Sequence, residues 1–527
     1  MDPTAAIELV LLLLVIATVL AFVARRIGVA YPIVLVLGGL ALGLILAAIP
    51  TPPAVELPPE LVFVLFLPPI LFGAGYFTPI RDFKANLRPI GLLAVGLVLF
   101  TTVVVGVVAH ALLPEIGWAA AFAFGAIVAP PDAVAATAVF RRLGVAPRIV
   151  TILEGESLIN DATALILYRS AIAALVFGTF SVVQAGAAFV FAAVGGVVIG
   201  YFVGMTLTYL WRRISDPTLE IVLSLLAPFA AYLPAETLGV SGVLAVVTAG
   251  IVVGRHAARV LSPNARLMGT GVWSVLIFLI NGFAFLLIGV QLPGILHGLT
   301  AFAPAQLIGL GLTISATVIV ARIAWVFPAT YLPRWLSAKV RARDPYPPAG
   351  AVFVISWAGM RGVVSLAAAL ALPTSVPDRP VLIYLTLCVI LATLVGQGLT
   401  LPLIVRRLGV VSGSDLEVEA RIARQAAADA ARERLEELAR EYPDHLELVE
   451  NLRAELDHEL SHTAESEDGA DLDAAARERL EHQEIRLALV AAQRDAVIRL
   501  RDDGVIGDDA LRLIERDLDL EAVRAGA

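Results

Sequence analysis

A run of polar residues interrupts an apolar segment near residue 160. The stretch LEGESLINDATAL holds Glu154, Glu156, Ser157, Asn160 and Asp161, and the apolar run continues as ILYRSAIAALVF. On a helix, Ser157 and Asp161 share one stripe, while Glu156 and Asn160 form the neighbouring stripe about 100° away. An ionised carboxylate in such a place must pair, bind a cation or take up a proton, because it loses its hydration. Hydrogen bonding between helices is the structural alternative, most of all for Glu154.

Two adjacent prolines interrupt an earlier apolar run, GAIVAPPDAVAATAV. Pro130 and Pro131 lack a backbone N–H and clash with the preceding turn, so the sequence predicts a helix that is broken at its middle. Asp132 follows the break. Its carboxylate, together with freed carbonyls such as that of Val128, suits a small hard cation. A proline kink in which Asp132 caps the second half-helix is the structural alternative, and the two interpretations are compatible.

A third interruption, SWAGMRGVVSLAAAL, places Arg361 between Gly359 and Gly362. A buried guanidinium needs an acidic partner, and Glu156 is the candidate that we predict. The glycines indicate local unwinding or close packing. Arg322 lies in another apolar run, and the sequence does not identify its acidic partner.

The surrounding chain is too apolar for an ordinary soluble protein. Hydrophobic residues make up 59% of it and charged residues 16%, against about half and about a quarter in typical globular chains. The apolar runs have the roughly 20 residues that a membrane-spanning helix needs. None alternates like a barrel strand, so we predict an all-α membrane protein. We predict about thirteen spans, near residues 6–24, 29–49, 59–77, 88–113, 117–140, 149–177, 181–210, 218–234, 238–254, 270–295, 303–328, 349–372 and 380–405.

Lysine and arginine lie almost entirely in one set of loops. The opposite loops carry Arg379 alone, and this alternation supports the predicted spans. Because basic loops stay in the cytoplasm, we expect a multi-pass protein of the cell membrane with its N-terminus outside and its C-terminus in the cytoplasm. The basic loop residues of the cytoplasmic set are Arg25, Arg26, Arg81, Lys84, Arg88, Arg141, Arg142, Arg148, Arg212, Arg213, Arg255, Arg259, Arg266, Arg334, Lys339, Arg341, Arg343, Arg406 and Arg407.

Charge divides the chain into two predicted domains. Residues 1–407, the membrane domain, carry a net charge of +8, and residues 408–527 carry −16. We predict that the second part is an acidic helical cytoplasmic tail, with a break near Pro443 and a linker at SHTAESEDGAD. The tail is either a solvated extension or a regulatory or dimer-contact segment, and its partner is not identified.

The broken run at Asp132 and the glycine-interrupted run at Arg361 occupy equivalent positions if spans 1–6 and 8–13 are repeats of each other. The first half starts outside and the second inside, so such repeats are inverted, and paired interruptions indicate a transporter's binding site. Carboxylate, hydroxyl and carbonyl oxygens suit a hard cation. If a proton and a cation compete for Asp161 in a site that opens to one side at a time, coupled exchange follows. The sequence has no phosphate-binding loop of the P-loop kind, so no nucleotide-driven motor is expected.

Four motifs resemble those of the sodium/proton antiporters, the first branch of the monovalent cation:proton antiporter superfamily. They are GESLINDATAL, WAGMRGVVSLAAALALP, LPPILF and VSGVLAVVTAGIVVG, and the resemblance covers about residues 1–410. It implies thirteen helices with two broken helices crossing at the site, a homodimer and elevator-like alternating access. The Asn at position 160 implies electroneutral exchange of H⁺ for Na⁺ or Li⁺, with K⁺ as the alternative cation. The function so implied is that of a secondary transporter without a cofactor, not of an enzyme.

The resemblance also implies roles for single residues. Asp161 is the main carboxylate for both the cation and the proton, and Ser157 and Asp132 complete the metal site. Asn160 tunes the site, while Glu156 pairs with Arg361. The expected partners are membrane lipid and a second copy of the chain, with no nucleic acid and no nucleotide.

Two positions depart from the family pattern. Pro131 precedes Asp132 where many members have a hydroxyl residue, and Gly73 follows PPILF where some members have Glu. The number of ligands and the choice between Na⁺ and K⁺ therefore stay open. Two other functions are alternatives to exchange. One is a cation channel, although no repeated filter ring or loop is evident in the sequence. The other is an intramembrane aspartyl protease that uses Asp132 and Asp161.

Overall fold

Each predicted apolar run contains helix in the computed structural model. The structure describes residues 3–49, 62–178, 181–214, 216–297, 299, 302–410, 415–441 and 449–454, and scattered residues between 488 and 522. In chain order the helices are α1 (Pro3–Ile27), α2 (Tyr31–Ala47), α3 (Val62–Phe77), α4 (Ile80–Ala85), α5 (Leu87–Leu112), α6 (Gly117–Val128), α7 (Ala133–Leu143), α8 (Pro147–Phe177), α9 (Val182–Trp211), α10 (Pro217–Thr237), α11 (Gly242–Val260), α12 (Pro263–His297), α13 (Pro304–Leu336), α14 (Ala338–Arg343), α15 (Ala349–Trp357), α16 (Val363–Leu370), α17 (Arg379–Leu408) and α18 (Asp415–Glu441).

The described helices confirm an all-helical membrane architecture. By length and composition, nine helical segments in the described part of the chain can cross a membrane, and the interrupted segment Pro114–Leu143 is one of them. The shorter apolar helices α2, α3 and α11 occupy three further predicted runs. The one remaining predicted run, 349–372, is divided between α15 and α16.

Small residues bring pairs of helices in the membrane unit into close contact. A Cβ atom at Gly39 would lie 2.1 Å from the carbonyl oxygen of Leu286, so α2 packs directly on α12. A Cβ atom at Gly200 would lie 2.2 Å from the carbonyl oxygen of Ala245, so α9 packs directly on α11. This use of small residues is typical of helix contacts in membranes. We call helices α1–α3 and α9–α12 the panel, and helices α5–α8, α13 and α15–α17 the core bundle.

Both predicted interruptions are present. Residues 129–132 are non-helical between α6 and α7, and residues 358–362 are non-helical between α15 and α16. The prolines account for the first break, because neither can donate to the preceding turn. Asp132 caps α7, since its Oδ1 accepts a 2.8 Å hydrogen bond from the N–H of Val134.

In contrast, α8 is a continuous rod of 31 residues. It begins with Pro147, whose fixed φ suits a first helical position. It ends at Gly178, which has φ 70° and takes the left-handed conformation that commonly closes a helix. The polar stretch of the sequence therefore lies on one rigid element beside both breaks.

The chain divides after Ser412 into two compact units, Met1–Ser412 and Gly413–Ala527. In the second unit α18 is helical over Asp415–Glu441. The predicted break near Pro443 and the predicted linker SHTAESEDGAD lie outside the described residues.

Asp344 holds three arginines together at the ends of helices on the arginine-rich side. Its Oδ1 accepts a 2.7 Å hydrogen bond from Arg148. Its Oδ2 accepts 2.7 Å hydrogen bonds from Arg88 and Arg334. Burial raises the pKa of Asp344, but the hydrogen bonds and charges of Arg148 and Arg334 outweigh burial, so the pKa is lowered overall. Its contribution to stability is complete above the ordinary Asp pKa of about 3.9 and is lost as pH falls through the lowered native value.

We expect Asp344→Asn to lower the free energy of unfolding by about 1 kcal/mol at neutral pH, the scale of a partly exposed ion-pair network. The difference from the parent should shrink below about pH 4, because the parent then loses the same interaction. Thermal unfolding of the full chain in detergent across this pH range measures both effects. The control is Glu115→Gln, at an exposed acid. A difference that stays constant with pH would contradict this role of Asp344.

Candidate functional site

The two breaks cross each other. The backbone N–H of Asp132 donates a 2.6 Å hydrogen bond to the carbonyl of Met360, which joins the first break to the second. The Asp132 side chain lies directly against Gly362, where an added Cβ would be 1.9 Å from Oδ2. The first carboxylate of the predicted site is therefore held between the two interrupted helices.

The polar stretch of α8 completes the crossing. Asn160 Nδ2 donates a 2.9 Å hydrogen bond to the carbonyl of Pro131. Ser157 Oγ accepts a 3.4 Å hydrogen bond from the N–H of Ala133. These contacts tie α8 to the backbone on both sides of Asp132. The Asn160 side chain therefore links α8 to the break that precedes α7.

Arg361 stabilises the broken end of α6. In a continuous helix the carbonyls of Val128 and Ala129 would accept from the N–H groups of residues 132 and 133, which are directed elsewhere here. Arg361 replaces those donors: Nε lies 3.0 Å from the Val128 oxygen and Nη2 lies 3.4 Å from the Ala129 oxygen. A cation at a helix C-terminus is favourable. The Arg361 N–H donates in turn to Thr393 Oγ1 at 3.1 Å.

The predicted pair of Glu156 with Arg361 is wrong, because Glu156 pairs with Arg322. Arg322 Nη1 lies 2.5 Å from Glu156 Oε1, and Nη2 lies 2.8 Å from Oε2. The side chains are 0% and 1% exposed. Arg322 also donates to the carbonyl of Ile355 near the end of α15, at 3.2 Å from Nη2. Each half-helix that ends at the crossing thus has a buried arginine near its C-terminus.

A cavity of about 740 Å³ lies beside the crossing, and Asp161, Asp132 and Ser157 line it. Asp161 is 8% exposed, and within the described part of the chain no residue donates a hydrogen bond to its carboxylate. Gly73 and Asn281 line the cavity from the panel. Since Gly73 has no side chain, that wall supplies no acid at this position. A carboxylate that faces a cavity without a donor is suited to bind a cation or a proton.

Val128 does not belong to this cavity. It is fully buried, it is not among the lining residues, and its carbonyl accepts from Arg361. The carbonyl freed by the proline break is therefore satisfied by a guanidinium rather than directed toward a cation, and the predicted ligand role of Val128 is not supported.

The cavity extends toward the arginine-rich ends of the helices. Arg141 and Glu154 line it there and form a 3.0 Å ion pair. Thr270 and Ser274 of α12 line the same region. The cavity therefore reaches from Asp161 to the Arg141–Glu154 pair. Glu154 belongs to this entrance and not to the polar face at the crossing.

Sequence reasoning missed Thr393 and the cavity wall that Tyr31 contributes from α2. Threonine in an apolar helix carries little signal, because its hydroxyl commonly bonds to the carbonyl four residues earlier, as Thr393 does with Val389 at 2.7 Å. Tyr31 precedes a proline at the start of a helix. Its place in the cavity depends on how α2 packs beside α7.

Gly362 offers a direct test of the packing around Asp132. Its φ of −136° is open to any residue, so space rather than backbone conformation requires glycine. We expect Gly362→Ala to displace the Asp132 carboxylate and to raise the half-saturating cation concentration at least several-fold, without unfolding the chain. The control is Gly396→Ala, where an added Cβ meets nothing within 4 Å. Cation-dependent thermal stabilisation measures the effect, and equal responses of the two variants would contradict it.

The chain was compared with known families and proteins. The family described as "Sodium/hydrogen exchanger, transmembrane" matches residues 10–407. An uncharacterized Na⁺/H⁺ exchanger of Mycobacterium tuberculosis is 37% identical over 522 residues, which cover 97% of this chain and 94% of the relative.

Two relatives with more specific names match about three quarters of the chain. A sodium, potassium, lithium and rubidium/H⁺ antiporter of Bacillus pumilus is 36% identical over 75% of this chain and 61% of its own length. A Na⁺/H⁺ antiporter of Aphanothece halophytica is 34% identical over 72% of this chain and 70% of its own length.

A solved structure has the same fold. The sodium proton antiporter of Methanocaldococcus jannaschii superposes with a TM-score of 0.63 at 20% identity, covering 77% of this chain and 99% of that one. The described helices therefore adopt the fold of that antiporter.

Proposed function

The chain belongs to the sodium/hydrogen exchanger family, and on this basis we propose that it exchanges Na⁺ or Li⁺ for H⁺ across a membrane, one for one, by alternating access. The observation that carries the proposal is the Asp161 carboxylate, which faces a cavity beside Asp132 and Ser157 with no hydrogen-bond donor from the described residues.

The coupling follows from the chemistry of one carboxylate. Asp161, Asp132 and Ser157 supply oxygens that suit a small hard cation. An ionised Asp161 without a cation would be poorly solvated, so it exchanges a bound cation for a proton. If Asp161 carries either one monovalent cation or one proton through the membrane, each cycle moves no net charge. Asn160, Arg361 and the pair of Glu156 with Arg322 support the crossing that positions these oxygens.

We propose a membrane architecture for this exchange. Residues 1–407 form the transport domain, with thirteen crossings in two inverted repeats, and residues 408–527 form an acidic cytoplasmic tail. The protein lies in the cell membrane, and its arginine-rich loops lie in the cytoplasm. The described cavity then opens to the cytoplasm. In a homodimer the panel stays fixed, while the core bundle carries Asp161 across the membrane.

Exchange of K⁺ for H⁺ is the second candidate function. The Bacillus pumilus relative is named for sodium, potassium, lithium and rubidium. In this chain Pro131 and Gly73 supply no side-chain oxygen at two positions beside the cavity. A cavity with fewer fixed oxygens leaves more of the cation's shell to water, which favours weak discrimination among monovalent cations.

Proton flux in proteoliposomes with a lumenal pH dye tests the function. We expect imposed gradients of Na⁺ and Li⁺ to drive proton movement in the opposite direction, without net current in a parallel electrical recording. A response to K⁺ alone would favour the second candidate. Net current carried by the cation would indicate a channel, and no cation-driven flux in folded protein would contradict exchange.

A further inference from the structure

A second cavity, of about 590 Å³, lies on the arginine-rich side of the membrane unit. Three arginines from separate helices line it: Arg25 near the end of α1, Arg142 near the end of α7 and Arg406 near the end of α17. None of its lining residues is acidic. We call this space the arginine pocket.

The positive charge of the arginine pocket has no counter-ion among the described residues. The ion pairs among the described residues involve other arginines. Arg142 donates a hydrogen bond to the carbonyl of Gly28 and not to a carboxylate. Arg26 and Arg407 are the chain neighbours of two pocket arginines, yet neither lines the pocket. Arg26 lies over the ring of Phe22 instead. The fold thus selects one arginine of each adjacent pair to face the pocket.

The walls between these arginines are apolar. Phe278, Leu399 and Pro402 line the pocket, and Leu399 is 51% exposed. Leu403, one turn further along α17, is 53% exposed. The apolar wall is therefore continuous with the outer surface of α17, which faces hydrocarbon in a membrane-spanning bundle. A ligand that fits needs an anionic head and an apolar chain.

We propose that the arginine pocket binds one anionic phospholipid. Its phosphate would lie among Arg25, Arg142 and Arg406, since guanidinium groups match phosphate oxygens in geometry and charge. One acyl chain would lie along Leu399 and the surface of α17. Basic pockets between membrane helices on the cytoplasmic side are a known chemical setting for such headgroups.

Binding at this place joins the two parts of the membrane unit. Arg25 and Phe278 belong to the panel, whereas Arg142 and Arg406 belong to the core bundle. Tyr31 and Ala138 line both the arginine pocket and the cavity that contains Asp161. A phosphate held by both parts therefore resists their relative movement. This consequence rests on the proposed function, while the binding itself does not.

Lipid-dependent thermal unfolding of the full chain in a non-ionic detergent tests the binding. Phosphatidylglycerol, phosphatidylcholine with the same acyl chains and inorganic phosphate are titrated separately. The pocket variant is Arg25→Gln with Arg406→Gln. The matched control is Arg26→Gln with Arg407→Gln, which removes the same charge one residue along the same two helices.

We expect phosphatidylglycerol to raise the melting temperature of the parent and of the control variant more than phosphatidylcholine does. The pocket variant should need about tenfold or more phosphatidylglycerol for the same shift, given the attraction per arginine at an anionic lipid surface. An equal loss of the phosphatidylglycerol response in both variants would contradict binding in the arginine pocket and would indicate attraction to general surface charge. A full shift with inorganic phosphate alone would overturn the lipid assignment. Neither result depends on transport, so failure of the exchange proposal is recognised separately.

Discussion

Arg322→Gln is expected to lower the free energy of unfolding by about 3–5 kcal/mol, the scale for breaking a buried ion pair on one side. The change leaves the Glu156 carboxylate, 1% exposed, without its bidentate partner. It also removes the guanidinium that donates to the Ile355 carbonyl. The loss therefore combines a buried unpaired charge with an uncapped helix end.

Thermal and denaturant unfolding of the full chain measure this loss. The control is Arg169→Gln, which breaks a 2.6 Å pair with Glu236 whose side chains are 53% and 27% exposed, and we expect it to change stability by at most about 1 kcal/mol. If Arg322→Gln does not fold, Glu156→Gln and the double variant complete the comparison. The double variant should be more stable than Arg322→Gln alone. Similar stability of Arg322→Gln and Arg169→Gln would contradict the buried pair.

Asp161→Asn is expected to abolish cation binding while leaving the fold intact. Its carboxylate accepts no hydrogen bond from the described residues, so the amide removes charge without removing a structural contact. In the parent, Na⁺ or Li⁺ should raise the melting temperature by binding the native state. The rise should be larger at higher pH, because protons then compete less for the same carboxylate.

Melting temperatures over a series of cation concentrations at several pH values measure this competition. Asp161→Asn should lose the cation-dependent shift at every pH. The control is Glu154→Gln, which changes an acid at the cavity entrance and should keep most of the shift. A cation shift that persists in Asp161→Asn would place the cation elsewhere.

Local chemistry was enough to predict the elements that carry the site. Pro130 and Pro131 cannot donate hydrogen bonds, so the break and the Asp132 cap follow from sequence alone. Helical periodicity placed Ser157 and Asp161 on one stripe, and the structure brings both to the same cavity.

The partners of the buried charges could not be predicted in the same way. Arg322 and Arg361 both lie in apolar runs, and the choice of Glu156 between them depends on how α13 packs beside α8 and α15. The predicted cation-binding role of the Val128 carbonyl is not supported for a related reason. A freed carbonyl binds whichever donor the fold brings to it, and Arg361 comes from a segment more than 200 residues away in sequence.

The exchange assigned to Asp161 is tested most directly by proton flux in proteoliposomes under an imposed Na⁺ gradient, with the parent, Asp161→Asn and Glu154→Gln reconstituted in equal amounts. We predict dye dequenching in the parent and in Glu154→Gln, and none in Asp161→Asn, with all three proteins equally folded in the membrane. Unchanged flux in Asp161→Asn would contradict the assignment.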